Sequence, residues 1–322
     1  MESFKITNKE EWLQTLNISE KELLRVIEHK SLFYKQYNKA KANGYRTIYC
    51  IDKNSALYAL QSRIQKCFFC NIFLPECVYG FREKRSYIDF LTFHVSPEGK
   101  FYLRLDIKDF FESISVKYIK SFFKYYIDDK MDDEEKAFII DSIINITTLN
   151  NKFIQGAVTL PSISNFAFRK IDIRISRYCK ELNVCYTRYA DDMLFSSTNK
   201  YMHSKHFIIA IQSIVNEFGF ALNYAKTLKY KNEISLNGYV IGTDIRLSRK
   251  KFHKINELIF QLNNSNFHGL KNNIEKYHVK NQLAGYRSLL IQLKRCVNDS
   301  DYRKRLQSKI SIIEGIMIKQ FT

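Results

Sequence analysis

Apolar and polar positions along this 322-residue chain switch repeatedly between a helical and a strand period. Residues 10–42 read as helical throughout. Within them Ser19-Glu20-Lys21-Glu22 has the form of a capping box, and Leu23, Leu24 and Ile27 mark one apolar face. Asn43-Gly44 stops that run, and residues 45–51 read as a strand. A helix follows over about 54–73, with Leu57, Leu60, Ile64, Cys67 and Phe68 inward, and then a strand over 101–106. Helices near 115–127 and 133–147 flank an acidic run at 128–135, which is expected in solvent with Asp132 or Asp133 as a cap. Residues 153–165 lead into a helix ending near Lys180; Gly156 suits a close backbone approach and Pro161 a first helical turn. Tyr186–Tyr189 and Met193–Ser196, rich in aromatic and apolar residues, predict strand, tight turn, strand around Asp191-Asp192. A helix over 202–218 ends at Gly219, a hairpin is expected over 234–241, and helices are expected over 249–263, 270–278, 280–297 and 300–320.

Composition adds a partner class. Lys plus Arg number 51 against 33 acidic residues, a formal charge of +18, and residues 226–322 hold 19 basic against 7 acidic residues, a net of +12. Two thirds of the excess therefore lies in the last third of the chain, as expected of a helical module lying along a phosphate backbone. Arg287, Lys294, Arg295, Arg303, Lys304 and Arg305 are its candidate contacts. No stretch approaches the roughly 20 apolar residues of a membrane span, so no membrane partner is expected. Met1-Glu2-Ser3-Phe4-Lys5 lacks the features of a signal peptide, and seven cysteines are an odd number. Reduced, buried thiols and a cytoplasmic location are the expectation, with no zinc at Cys67, Cys70 and Cys77 for want of a fourth ligand.

The candidate chemistry lies in the carboxylates. Asp191 and Asp192 are adjacent at a turn, and neighbouring carboxylates tolerate each other only in water or beside a cation. Asp106 ends an apolar strand and is followed by the aromatic pair Phe110-Phe111. Hard divalent cations such as Mg²⁺ take carboxylate oxygens and keep places for water and phosphates. If the two strand ends converge, the three aspartates can hold two ions about 3.5–4 Å apart, the separation used in phosphoryl transfer. Gly80–Ser86 is a basic loop in which Arg82 and Arg85 suit phosphates.

In chain order the segments LRLDIKDFF (103–111), QGAVTLPSISN (155–165), YTRYADDMLFSS (186–197), FGFALNYAKT (218–227) and LNGYVIG (236–242) resemble the successive palm motifs of bacterial reverse transcriptases. The likeness is greatest to the retron group, with group II intron and defence-associated enzymes as relatives, and covers about residues 44–260. It implies an α+β, right-hand polymerase: an N-terminal helical segment (1–43), fingers (44–99), a palm whose antiparallel sheet packs on helices (100–241, with about 115–160 shared with the fingers), and a basic helical thumb (242–322). It implies Asp106, Asp191 and Asp192, with Ile107, as the holders of two Mg²⁺ ions, and Lys226 as a catalytic lysine approaching the triphosphate. It places Phe111 against the sugar 2′ position, Gln155 and Gly156 along the incoming nucleotide, Arg46 at the triphosphate and Tyr189 under the primer end. The implied activity is RNA-directed DNA synthesis from deoxynucleoside triphosphates on a cognate structured non-coding RNA. In retrons it starts at a 2′-hydroxyl, leaves a branched RNA–DNA product (msDNA), and serves antiphage defence with a separately encoded effector protein.

Two departures stand out. Where retron enzymes carry Asn-Ala-x-x-His, this chain has residues 89–94 and keeps only His94; where they tend to carry Val-Thr-Gly, it has Leu236-Asn237-Gly238. Both segments are associated in the family with recognition of the cognate RNA. Open alternatives are a defence-associated reverse transcriptase outside the retrons, a nucleic-acid-binding scaffold of the same fold, and RNA synthesis, which Phe111 disfavours.

Overall fold

Two short helices, α1 (Lys9–Leu16) and α2 (Glu20–Glu28), open the chain, each begun by a side chain that replaces the missing backbone acceptor. Asn8 caps α1, and Ser19 and Glu22 form the reciprocal capping box expected for α2. The computed structural model describes residues 5–41, 44–264 and 273–321. The expected helix over 10–42 does not continue: β1 (Tyr34–Lys41) pairs antiparallel with β2 (Gly44–Ile51), setting Tyr37 opposite Ile48 and Lys39 opposite Arg46. The apolar stripe of α2 has ended before residue 34, so no buried face supports a helix there, and strand pairing takes the backbone bonds instead. The described side chains of this ribbon are mostly exposed.

Three helices follow or flank the first core strand: α3 (Ala56–Cys67), α4 (Tyr87–Thr92) and, beyond β3 (Phe101–Asp106), α5 (Val116–Phe123). Next come α6 (Asp133–Thr147), capped by Asp132 as expected, and the long α7 (Leu160–Glu181) with Pro161 in its first turn. The strands β4 (Cys185–Tyr189) and β5 (Asp192–Ser197) form the expected hairpin; α8 (Lys205–Asn216) and β6 (Leu228–Lys231) complete the unit. The four-stranded sheet has order β4-β5-β3-β6 and is antiparallel throughout.

Strand alternation splits this sheet between two cores. Leu103, Leu105, Met193 and Phe195 bury into one cluster with α5–α8, including Phe168, Ile171 and Phe207. Tyr102 and Leu194, on the opposite parity, bury into a second cluster with the C-terminal region. That region holds a three-stranded sheet, β7 (Ile234–Leu236), β8 (Tyr239–Ile241) and β9 (Ile245–Leu247), followed by α9 (Arg249–Asn264), α10 (Asn273–Cys296) and α11 (Ser300–Phe321). Asn237 and Gly238, at φ 48° and 84°, make the β7–β8 turn. Asp244 Oδ2 accepts the Asn298 and Asp299 amides at 2.9 Å, and the Tyr302 hydroxyl accepts the Leu247 amide at 3.0 Å, fastening the α10–α11 corner to this sheet.

Two further expectations change. The segments 273–278 and 280–296 are one helix, since neither Gly nor Pro interrupts them at 279; residues 270–272 lie outside the described residues. Of the seven free cysteines only Cys179 is buried, while Cys50 and Cys70 are exposed. Among the described residues no helix is long and apolar enough to cross a membrane.

Candidate active site

The antiparallel register of β3 and β5 sets Asp106 directly opposite Asp192. Cα atoms of such pairs lie about 4.5–5.5 Å apart, well inside the reach of a shared ion. The Ile107 amide donates to the Asp191 carbonyl at 3.2 Å, closing the strand end onto the turn. Between Tyr189 and Asp191 the chain reverses through Ala190 at φ 55°, a left-handed conformation that a non-glycine residue adopts at some cost.

A buried network holds that turn. Arg188 donates to the Ala190 carbonyl at 2.9 Å, to both oxygens of Asp172 on α7, and to Asn165 Oδ1 at 3.1 Å. Asn165 in turn donates to the Gly80 carbonyl at 2.8 Å, and a Cβ on Gly80 would stand 2.5 Å from the Ala190 nitrogen. His94 is fully buried beneath the same hairpin, its ring nitrogens 2.8 Å from Ser196 Oγ and Thr187 Oγ1. It is therefore a bolt between β4 and β5.

Cationic side chains meet the carboxylates. Lys226 Nζ lies 3.0 and 3.1 Å from the two oxygens of Asp106. Arg104 bonds Asp192 through Nε at 2.7 Å and through a terminal nitrogen. Burial pushes the carboxyl groups of Asp191 and Asp192 above their ordinary range, and the neighbouring carboxylates push the same way. A partly buried trio of hard oxygen donors that repel each other fits a divalent cation of the Mg²⁺ type. Among the described residues no group of three His, Cys, Asp or Glu side chains already closes on one point as a metal cage.

The remaining expected residues distribute around this centre. Phe111 is half-buried, its ring 5.2 Å from Phe110 and 6.2 Å from Phe81. Gln155 donates to Glu112 at 2.8 Å and accepts through its carbonyl from the Tyr49 amide at 2.9 Å. Gly156, at φ 109°, passes so close to β2 that a Cβ would stand 1.6 Å from the Tyr49 carbonyl oxygen. Phe111, Gln155, Tyr45, Thr47 and Tyr49 border one cavity of about 650 Å³. Tyr189 packs edge-on to Tyr87 at 4.9 Å, with Phe81 and Phe90 near. Arg46 lies on β2; its side chain is outside what is described.

The basic candidates are not gathered at the carboxylates. Arg82 and Arg85 both pair with Glu76, and Arg85 also lies over the Tyr79 ring at 4.9 Å. On the last two helices Arg287 pairs with Glu314, Lys294 donates to Gln307, Arg303 donates to the Val297 carbonyl, and Arg295 is exposed.

Sequence reasoning passed over Arg104, Asn165, Asp172 and Arg188. Two had a readable signal: Arg104 shares the strand parity of Asp106, and Asp172 interrupts an apolar helix between Ile171 and Ile173.

A family profile described as "Reverse transcriptase (RNA-dependent DNA polymerase)" matches residues 28–241. The chain is 26% identical over 297 residues to the Retron Ec86 reverse transcriptase of Escherichia coli, covering 91% of this chain and 84% of that protein. It is 28% identical over 214 residues to the Retron Ec73 reverse transcriptase of Escherichia coli, covering 64% of this chain and 66% of that protein. The solved structure of telomerase from Candida tropicalis in complex with a TWJ fragment of telomeric RNA superposes with a TM-score of 0.51 at 13% identity, over 94% of this chain and 57% of that one. That likeness concerns the fold, a right-hand polymerase. With paired carboxylate strands, the profile match over most of the chain and the retron relatives together, this protein belongs to the reverse transcriptase family, RNA-directed DNA polymerases, and within it to the retron type.

Proposed function

We propose that the chain copies a cognate structured non-coding RNA into DNA, starting at a 2′-hydroxyl of that RNA and leaving a branched RNA–DNA product (msDNA). The observation that carries the chemistry is the opposition of Asp106 and Asp192 across β3 and β5, with Asp191 beside them. The RNA substrate rests on the retron relatives and on the charge of the last third of the chain. Antiphage defence with a separately encoded effector protein follows from the same kinship.

Asp106, Asp191 and Asp192, with the main chain at Ile107, are the residues to hold two Mg²⁺ ions. Bound there, the ions supply a lowered pKa at the primer hydroxyl and neutralisation of the leaving pyrophosphate. The chain's own groups position and select. Phe111 closes the space beside the sugar, so a 2′-hydroxyl overlaps its ring. Gln155 and Gly156, fastened to β2 through Tyr49, form the wall along the incoming nucleotide. Lys226, now on Asp106, serves as the proton donor to the triphosphate. Tyr189 gives the primer terminus an aromatic seat, and residues 242–322 serve as the thumb that follows the duplex.

The test is Mg²⁺-dependent extension of oligo(dT) on poly(rA), with Asp191→Asn and Asp192→Asn as controls. Either variant abolishes synthesis while RNA binding persists, because the basic helices are untouched. Normal DNA yield from both variants would refute the assignment. Sequencing the nucleic acid that copurifies with the protein identifies the RNA and shows whether a branched product is made.

A further inference from the structure

Arg104 stands two residues before Asp106 on β3, so both side chains leave the same face of the strand. Its Nε and one terminal nitrogen both fall on Oδ1 of Asp192, and that terminal nitrogen is 3.6 Å from Oδ1 of Asp106. The Arg104 side chain is only 20% exposed, and that of Asp192 14%, so solvent screens the contact weakly. A carboxylate can bind a divalent ion through one oxygen or both, and free rotation samples each. Two donors on one oxygen remove that choice.

We propose that Arg104 is a positioning residue for nucleotide transfer: it fixes Asp192 through Oδ1 so that Oδ2 is the oxygen presented to a divalent ion. Its fixed charge also weakens the hold on that ion, since like charges a few ångströms apart in a partly buried site repel. The inference rests on the two-ion reading above and adds a residue that this reading does not use. An arginine that only braced the hairpin would leave metal binding unmoved. Lysine keeps the charge but lacks the two-pronged fork, so the two effects can be separated.

The experiment uses the full chain and the variants Arg104→Gln and Arg104→Lys. Free Mn²⁺ is followed by electron paramagnetic resonance during titration of the protein without nucleic acid, and primer extension on poly(rA)/oligo(dT) is measured against Mg²⁺. Arg104→Gln should bind Mn²⁺ about threefold or more tighter than wild type, because the opposing charge is gone. Its kcat at saturating Mg²⁺ should fall about tenfold or more, the usual cost of losing a partner that orients a metal ligand, with little change in KM for the nucleotide. Arg104→Lys should keep wild-type Mn²⁺ affinity with a reduced kcat. Wild-type Mn²⁺ affinity or wild-type kcat in Arg104→Gln overturns the proposal. Should that variant lose cooperative thermal unfolding, Arg104→Lys decides: reduced kcat at unchanged Mn²⁺ affinity supports it, and a wild-type kcat overturns it. A wild-type protein that neither binds Mn²⁺ nor extends primers would instead sink the polymerase reading itself.

Discussion

Arg188 and Asp172 form an ion pair with no exposed side-chain surface on either partner, guanidinium nitrogens lying 2.8, 2.9 and 3.1 Å from the carboxylate oxygens. The Tyr186 hydroxyl donates to the same carboxylate at 2.8 Å. Such a pair is a weak source of net stability, but removing one member strands a buried charge. Asp172→Ala should therefore lose about 3–5 kcal/mol in urea unfolding. The double variant Arg188→Met with Asp172→Leu should recover much of that loss. On the proposed function it should still fail in DNA synthesis, because Arg188 then no longer holds the Ala190 carbonyl beside Asp191 and Asp192. A single variant as stable as wild type would show that the pair is open to water.

Gly156→Ala tests how the β1–β2 ribbon is seated. The added Cβ collides with the Tyr49 carbonyl oxygen, and φ 109° is itself unfavourable for alanine. The strand must move away, taking the Tyr49–Gln155 bond with it. Synthesis should fall about a hundredfold, as expected when a positioning contact shifts by an ångström. Circular dichroism of the rest of the molecule should stay close to wild type. Unchanged extension rates would mean that β2 and the 155–156 loop do not act together.

His94 gives the fold a pH signature. Burial lowers its pKa from 6.5 to about 3, so the native state keeps it neutral while the unfolded chain protonates it below pH 6.5. The unfolded state then binds the extra proton, and stability falls as pH drops from about 6.5 toward 3, by up to about 1.4 kcal/mol per pH unit. Above pH 6.5 this contribution is fully present. Subtracting the stability–pH curve of His94→Gln from that of wild type should isolate the slope. Parallel curves would contradict a buried, neutral ring.

Phe111→Ala should admit ribonucleotides. With the ring gone, discrimination between deoxy- and ribonucleoside triphosphates should fall about tenfold or more, read as the ratio of kcat/KM values. Retained discrimination would move sugar selection to another residue.

The carboxylate strands were legible because their signals are local: an aspartate closing an apolar run, and a doublet between two strand-forming stretches. The turn at Asn237-Gly238 and the caps at Ser19 and Asp132 are equally short-range, and the structure has each of them. The 34–41 strand was not legible. Its Lys, Gln and Ala residues suit a helix, and its pairing partner across residues 42–43 supplies a reason that no single-segment pattern contains. The same holds for Arg188 and Asp172, which are sixteen positions apart and come together only once α7 packs on β4. The partners of His94, Ser196 and Thr187, lie about a hundred positions away, so its place beneath the hairpin was not legible either.

The strand bearing Asp106 is flanked on one side by β5 and on the other by β6, whereas the β1–β2 ribbon forms a separate two-stranded sheet, tied to the 155–156 loop through Tyr49, and its described side chains stand largely in water. Local opening begins where few apolar contacts resist it, so amide exchange should be fast along the ribbon and slow along β3. Give and stiffness are thus assigned to different lengths of chain: the ribbon can breathe while the spacing of the acidic groups stays set.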